Sequence, residues 1–167
     1  MLALDTFTTM AQYNRWMNER LYGVCGSIPD DERKRDRHAF FASIHGTLNH
    51  LLVGDKLWLG RFLDDPFPVE SLDQELYADF DAMRAERERT DDVIITFTNS
   101  LDEAAIDRKF RFTTMVDPAE RTYIFRHVLQ HFFNHQTHHR GQLTTLISQA
   151  GYEPGVTDLM WLPGVEK

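Results

Sequence analysis

Apolar residues recur along most of this chain in alternating steps of three and four, the period of helices that each bury one stripe. Four long stretches carry the pattern. The first runs from about Asp5 to Val24, with Asp5 or Thr6 placed to cap its start and Gly26-Ser27-Ile28-Pro29 to stop it. The second spans about Phe40 to Leu63, with Ile44, Leu48, Leu51, Asp55, Trp58 and Phe62 as its seam and Asp64-Asp65-Pro66 at its end. The third spans about Ser71 to Leu101, its seam running from Leu76, Phe80 and Met83 through Arg87 and Thr90 to Ile94, Phe97 and Leu101. The fourth opens at Asp117-Pro118-Ala119-Glu120, where a cap, a first-turn proline and a carboxylate coincide, and runs to Ala150 before Gly151. Between the third and fourth, Arg108 to Met115 alternates Phe110 and Phe112 with polar residues and reads as a short strand or extended crossover. The pattern predicts an all-α fold, an antiparallel four-helix bundle over residues 1–167 as a single domain. Leu159, Met160, Trp161 and Leu162 form a short C-terminal cap on one end of it.

Composition narrows the function classes. The chain has 167 residues, 26 acidic against 18 basic side chains and a net charge of −8, which disfavours nucleic acid or an anionic membrane as partner. No apolar run reaches the roughly 18 residues of a membrane span, and the N-terminus lacks the order of a secretory signal, so a cytoplasmic protein is expected. The single cysteine, Cys25, rules out an internal disulfide and a Cys-x-x-Cys site.

Polar residues inside the seams hold the chemistry. Five of the eight histidines, His127, His131, His135, His138 and His139, fall in one thirteen-residue window. His135 and His139, four apart on a helix, can aim ring nitrogens at one point and share a metal ion. The pairs His131 with His135 and His135 with His138 are also geometrically possible. A third ligand must come from another helix, with His50 and His45 as candidates. Asp55, a carboxylate in an apolar seam, needs a cation or a ligand N–H, which Arg140 or a ligand histidine can supply. Arg87 in the third seam is expected to snorkel or pair with an acid, and Asn14 and Asn18 to hydrogen bond within the bundle.

Two motifs carry a resemblance. The run Phe41-Ala42-Ser43-Ile44-His45-Gly46-Thr47-Leu48-Asn49-His50-Leu51-Leu52, followed by Asp55 and Trp58-Leu59, resembles the second helix of the DinB-like family of four-helix-bundle metalloproteins. Asn134-His135-Gln136-Thr137-His138-His139-Arg140-Gly141-Gln142 resembles that family's fourth-helix signature, and Tyr13-Asn14-Arg15-Trp16-Met17-Asn18 its opening helix. The resemblance implies metal ligation by His50, His135 and His139, with His138 left as a neighbour. It also implies a short crossover before the fourth helix and a homodimer. Related proteins include transferases and isomerases that use a low-molecular-weight thiol.

Three neutral nitrogen ligands leave a four-coordinate ion with an open position, as in catalytic sites, and three imidazoles suit zinc or nickel. The expected function is therefore a metal-dependent reaction on a small-molecule substrate, foremost an S-transferase-like reaction with a low-molecular-weight thiol as cosubstrate. Asp55 and Arg140 are the expected supporting pair. The alternatives are a metal-dependent hydrolase and a non-enzymatic metal-binding stress-response protein.

Overall fold

The structure is a computed structural model that describes residues 2–115 and 117–166. Four long helices dominate it: α1 (Leu2–Gly26), α3 (Ile44–Leu63), α4 (Phe80–Asn99) and α6 (Phe125–Gln149). Two short helices, α2 (Asp30–Lys34) and α5 (Glu103–Asp107), lie in the connections. Strands β1 (Lys109–Thr113) and β2 (Glu120–Ile124) pair antiparallel, with Phe112 opposite Arg121 and Phe110 opposite Tyr123. A 3-10 turn at Leu159–Trp161 follows α6; of the four residues expected to cap the bundle, Leu159 and Leu162 pack on the apolar core, whereas Met160 and Trp161 are exposed. Among the described residues, no helix is long and apolar enough to cross a membrane.

Helix α1 packs against α4 and α6, and α3 against the same two. Each long helix passes through two apolar clusters. One contains Met17, Leu21, Leu48, Leu52, Met83 and Leu143; the other contains Phe7, Phe62, Ile94, Phe97, Leu129 and Phe132. The order in which each helix crosses them gives its direction. Helices α1 and α6 run from the Phe-rich cluster to the Leu-rich one, and α3 and α4 run the opposite way. The α1/α4 and α3/α6 pairs are therefore antiparallel, while the α1/α6 and α3/α4 pairs run parallel, which differs from the expected wholly antiparallel bundle. The long connection over residues 64–79 returns the chain to the starting end, so α3 and α4 run in the same direction.

All four long helices start elsewhere than the sequence suggests: α1 is helical from Leu2, so Asp5 and Thr6 lie inside it rather than capping it, and the other three differ for local reasons. Helix α3 begins at Ile44 rather than near Phe40, because Ser43 is its cap and accepts from the Gly46 amide at 2.9 Å. Helix α4 begins at Phe80 rather than Ser71, with Asp79 accepting from the Ala82 amide. Residues before Asp79 are not helical because α3 satisfies their backbone instead: Asn49 Oδ1 accepts from the amides of Leu76 and Tyr77, and its Nδ2 donates to the Tyr77 carbonyl. Helix α6 begins at Phe125, not at the Asp117-Pro118 signal. Glu-Arg-Thr-Tyr-Ile has the β-branched and aromatic content of a strand, and pairing with β1 satisfies its backbone. The Phe125 amide then donates to the Arg108 carbonyl at 2.9 Å, which ties the hairpin to the first turn of α6.

Between the two apolar clusters lies a buried polar layer drawn from all four long helices. Arg87 of α4 donates to Asp55 of α3 at 2.6 Å and stands 2.9 Å from Asp91. Asn14 and Asn18 of α1 both donate to Asp91 at 3.0 Å, and Gln136 of α6 donates to Asp55 at 2.9 Å. Arg140 closes the chain by donating to Asn14 Oδ1. Burial opposes the charge on Arg87, but Asp91 and Asp55 override it and hold the guanidinium protonated. Arg87 pairing with acids and the asparagines bonding within the bundle agree with expectation. The expected Asp55–Arg140 pair does not form: Arg87 and Gln136 occupy the carboxylate, and Arg140 turns toward α1 and Thr137.

Arg87→Leu removes the cation between two buried carboxylates. It is expected to cost about 3–5 kcal/mol of unfolding free energy, measured by urea denaturation at pH 7.

Candidate metal centre

Helix α6 sets His135 and His139 one turn apart, and α3 brings His50 to face them. The ligand atoms of the three residues lie within 4.8 Å of one another. His50 Nε2 is 3.0 Å from His139 Nε2 and 3.2 Å from His135 Nε2. A tetrahedral ion with bonds of ~2.0 Å has ligand atoms about 3.3 Å apart, so the two distances from His50 Nε2 already match edges of such a site.

Hydrogen bonds fix which nitrogen carries each proton. His50 Nδ1 sits 2.7 Å from the Leu72 carbonyl, an acceptor only, so Nδ1 holds the hydrogen and Nε2 is bare. His139 Nδ1 sits 2.8 Å from Gln142 Oε1 and is held the same way. Two unprotonated nitrogens therefore face each other at 3.0 Å. Their lone pairs repel unless a cation or a proton lies between them. Burial works against the proton: it pushes His50 down to about 4 and His135 to about 3, and it also lowers His139. Neighbouring imidazoles reinforce the shift at His135. A metal ion is the partner that satisfies this arrangement without charging an imidazole.

Two features missed by the sequence reading shape the site. Gly54, one helical turn after His50, leaves room for the His135 ring: a Cβ there would lie 2.7 Å from His135 Cε1. A glycine inside a helix costs roughly 1 kcal/mol relative to alanine, so its place in α3 was itself the signal. Phe41 lies flat on His50 with ring centres 3.7 Å apart and meets His139 edge-on at 5.5 Å. The loop that carries it includes two non-glycine residues in the left-handed region, His38 (φ 55°) and Ala42 (φ 60°).

The other candidates fall elsewhere. His45 is buried with Nε2 2.9 Å from the Tyr77 carbonyl, so it braces the 64–79 connection. His138 is exposed, near Gln142, and His131 stands edge-on to Trp58. Asp55 and Arg140 belong to the polar layer; the groups that orient His50 and His139 are the Leu72 carbonyl and Gln142. The Leu72 contact was not visible in sequence because residues 71–79 read as helix. Cys25 is fully buried, and burial pushes its thiol up to about 12, which leaves it a core residue and no nucleophile.

The DinB family model matches residues 2–166. This chain belongs to the DinB family. It is also 25% identical over 153 residues to Protein DinB of Bacillus subtilis (strain 168), a match that covers 88% of this chain and 87% of that protein. The family match agrees with the resemblance seen in the motifs around His50 and His135, and the three-histidine cluster is compatible with metal binding by this DinB-family chain.

Two outcomes follow from the geometry. Gly54→Ala is expected to leave the helical circular dichroism intact while displacing His135, read as a change in its imidazole NMR signals. In metal-free protein, the buried neutral histidines make stability depend on pH. Because their folded values lie below the ordinary 6.5, the unfolded chain binds more protons between pH 6.5 and about 4. Stability is then complete above pH 6.5 and falls as pH drops through that window, measurable as a declining Tm.

Proposed function

We propose that this protein is a metalloenzyme in which His50, His135 and His139 hold one divalent ion, zinc or nickel, and that its reaction joins a low-molecular-weight thiol to a small electrophile. The observation that carries the metal assignment is the pair of bare Nε2 atoms of His50 and His139, 3.0 Å apart, each with its Nδ1 engaged elsewhere. A divalent ion held by these three neutral nitrogens would supply Lewis acidity that lowers the pKa of a thiol or a water. That unsaturated donor set favours an enzyme over a protein that only stores metal.

The chain's own residues perform the remaining tasks. The Leu72 carbonyl and Gln142 Oε1 hold two imidazoles in the tautomer that presents Nε2, which makes these nitrogens better donors. Phe41 covers one face of His50 and keeps water from it. In the reaction, the S–H bond breaks and sulfur bonds to the electrophilic carbon as that carbon's π bond or its bond to a leaving group opens; the released electron pair takes up the proton in the product or departs with the leaving group. Hydrolysis is the second reading, supported by the same donor set, with water in place of the thiol.

Metal analysis by plasma mass spectrometry on untagged protein tests the first step. About one zinc or nickel per chain is expected, lost in His50→Ala, His135→Ala or His139→Ala and retained in His138→Ala and His131→Ala. Gln142→Leu is expected to weaken metal affinity about tenfold or more, whereas Asp55→Asn lowers stability and leaves affinity unchanged. Turnover is then compared in metal-loaded and stripped protein with bacillithiol, mycothiol or glutathione and an electrophile, and with an ester. Metal-dependent consumption of a thiol supports the transferase, ester cleavage alone supports the hydrolase, and stoichiometric metal without turnover in either assay favours metal binding without catalysis.

A further inference from the structure

Helix α6 carries histidine at four successive one-turn steps: His127, His131, His135 and His139. The last two belong to the metal centre. The first two line a cleft of about 410 Å³ between α6, α3 and the hairpin, whose other walls include Trp58, Phe112, Tyr123 and Val128. His131 joins the two regions, with its ring centre 5.4 Å from Trp58 and 6.3 Å from His135.

The walls of this cleft are aromatic and differently oriented. Trp58 meets Phe112 edge-on at 5.0 Å, and Phe112 stacks on Tyr123 at 6.0 Å. Trp58 is buried, Phe112 is half-buried and Tyr123 is exposed, so the cleft has a packed floor and an open edge. Its volume lies in the range of small-ligand sites. Arrays of this kind take up flat conjugated rings, which gain face and edge contacts that an aliphatic molecule of equal size does not. Two histidines and Thr114 add polar groups that can fix the orientation of such a ring.

We infer that this cleft is the specificity subsite for the second substrate, and that it takes a flat aromatic or conjugated group and directs it along His131 toward the histidine cluster. The inference rests on the reading of that cluster as a metal site, but the cleft's selectivity is measurable apart from it. Trp58, Phe112 and Tyr123 set the preference for planar rings, and His131 is a positioning residue between the cleft and the cluster.

Indole is a suitable probe, since it is flat, offers one N–H donor and is a poor metal ligand; cyclohexanol is the aliphatic comparison. Titration of the metal-replete full chain, followed by calorimetry and by the Trp58 indole NMR signal, is expected to show saturable binding of one indole per chain and none of cyclohexanol. Val128→Phe, which fills the cleft, is expected to abolish indole binding. Tyr123→Ala, at an exposed strand position, weakens it about three- to tenfold. His131→Ala weakens it as well, and all three variants keep the metal content of the parent. Equal binding of indole and cyclohexanol, or indole binding unchanged in both Val128→Phe and Tyr123→Ala, overturns the inference while leaving the metal reading intact. Absence of metal in the parent, with selective indole binding preserved, overturns the metal reading and leaves the cleft's selectivity standing.

Discussion

The fold depends on a buried, charge-balanced layer at mid-height of the helices. Asp55, Arg87, Asp91 and Arg140 are each nearly inaccessible to solvent, and taking four charges out of water costs several kcal/mol apiece before pairing. The cost is offset only where every charge meets its partners. Arg87 reaches two carboxylates, Asn14 and Asn18 complete Asp91, Gln136 completes Asp55, and Arg140 reaches Asn14. The apolar clusters on either side are less selective, because leucine and phenylalanine tolerate small displacements along a helix axis far better than a buried ion does. The clusters supply most of the driving force for collapse, and the polar layer selects the register in which the helices meet.

That register places the histidine cluster. His135 precedes Gln136, which bonds Asp55, and His139 precedes Arg140, which bonds Asn14. The neighbouring positions on α6 therefore point in different directions: Gln136 and Arg140 into the polar layer, His135 and His139 toward α3 and the connection over residues 64–79. With Asp55 fixed against Gln136, His50 comes opposite both imidazoles, and the glycine at position 54 keeps the space between α3 and the His135 ring open. The site and the stability determinant thus share helices without sharing hydrogen bonds. This separation explains why Asp55, which reads in sequence as support for a ligand, acts on the fold instead.

Helical periodicity made the four long helices legible, and two motifs made the three central histidines legible, because both signals lie within a few turns of one helix. What escaped was decided by contacts between distant segments. Residues 71–79 have an acceptable helical pattern, yet Asn49 binds their backbone and the Leu72 carbonyl is recruited by His50. The Asp117-Pro118 signal is a sound helix start in isolation, yet residues 120–124 gain more from pairing with β1, whose own extended character was visible. Asp55 illustrates the same limit: its need for a cation was evident from its seam position, but two arginines lay at suitable heights on different helices. Only the packing of α4 against α3 decides for Arg87.

The surroundings of the cluster are asymmetric, and the asymmetry has a chemical meaning. On one side, Phe41 stacks on His50, and the Leu72 carbonyl and Gln142 Oε1 engage His50 and His139 by short hydrogen bonds. On the other, His135 has a buried Nδ1 with no hydrogen-bond partner among the described residues, and the next ring along α6 is His131 at the edge of an aromatic cleft. A site built only to retain an ion gains from fixing every ligand equally, since each unanchored ring adds freedom that binding must remove. Here the orienting contacts concentrate on His50 and His139, while His135 stands on the side nearest the cleft. The His135 ring is thus placed by packing against His131 and His139, with no hydrogen bond at its Nδ1 among the described residues.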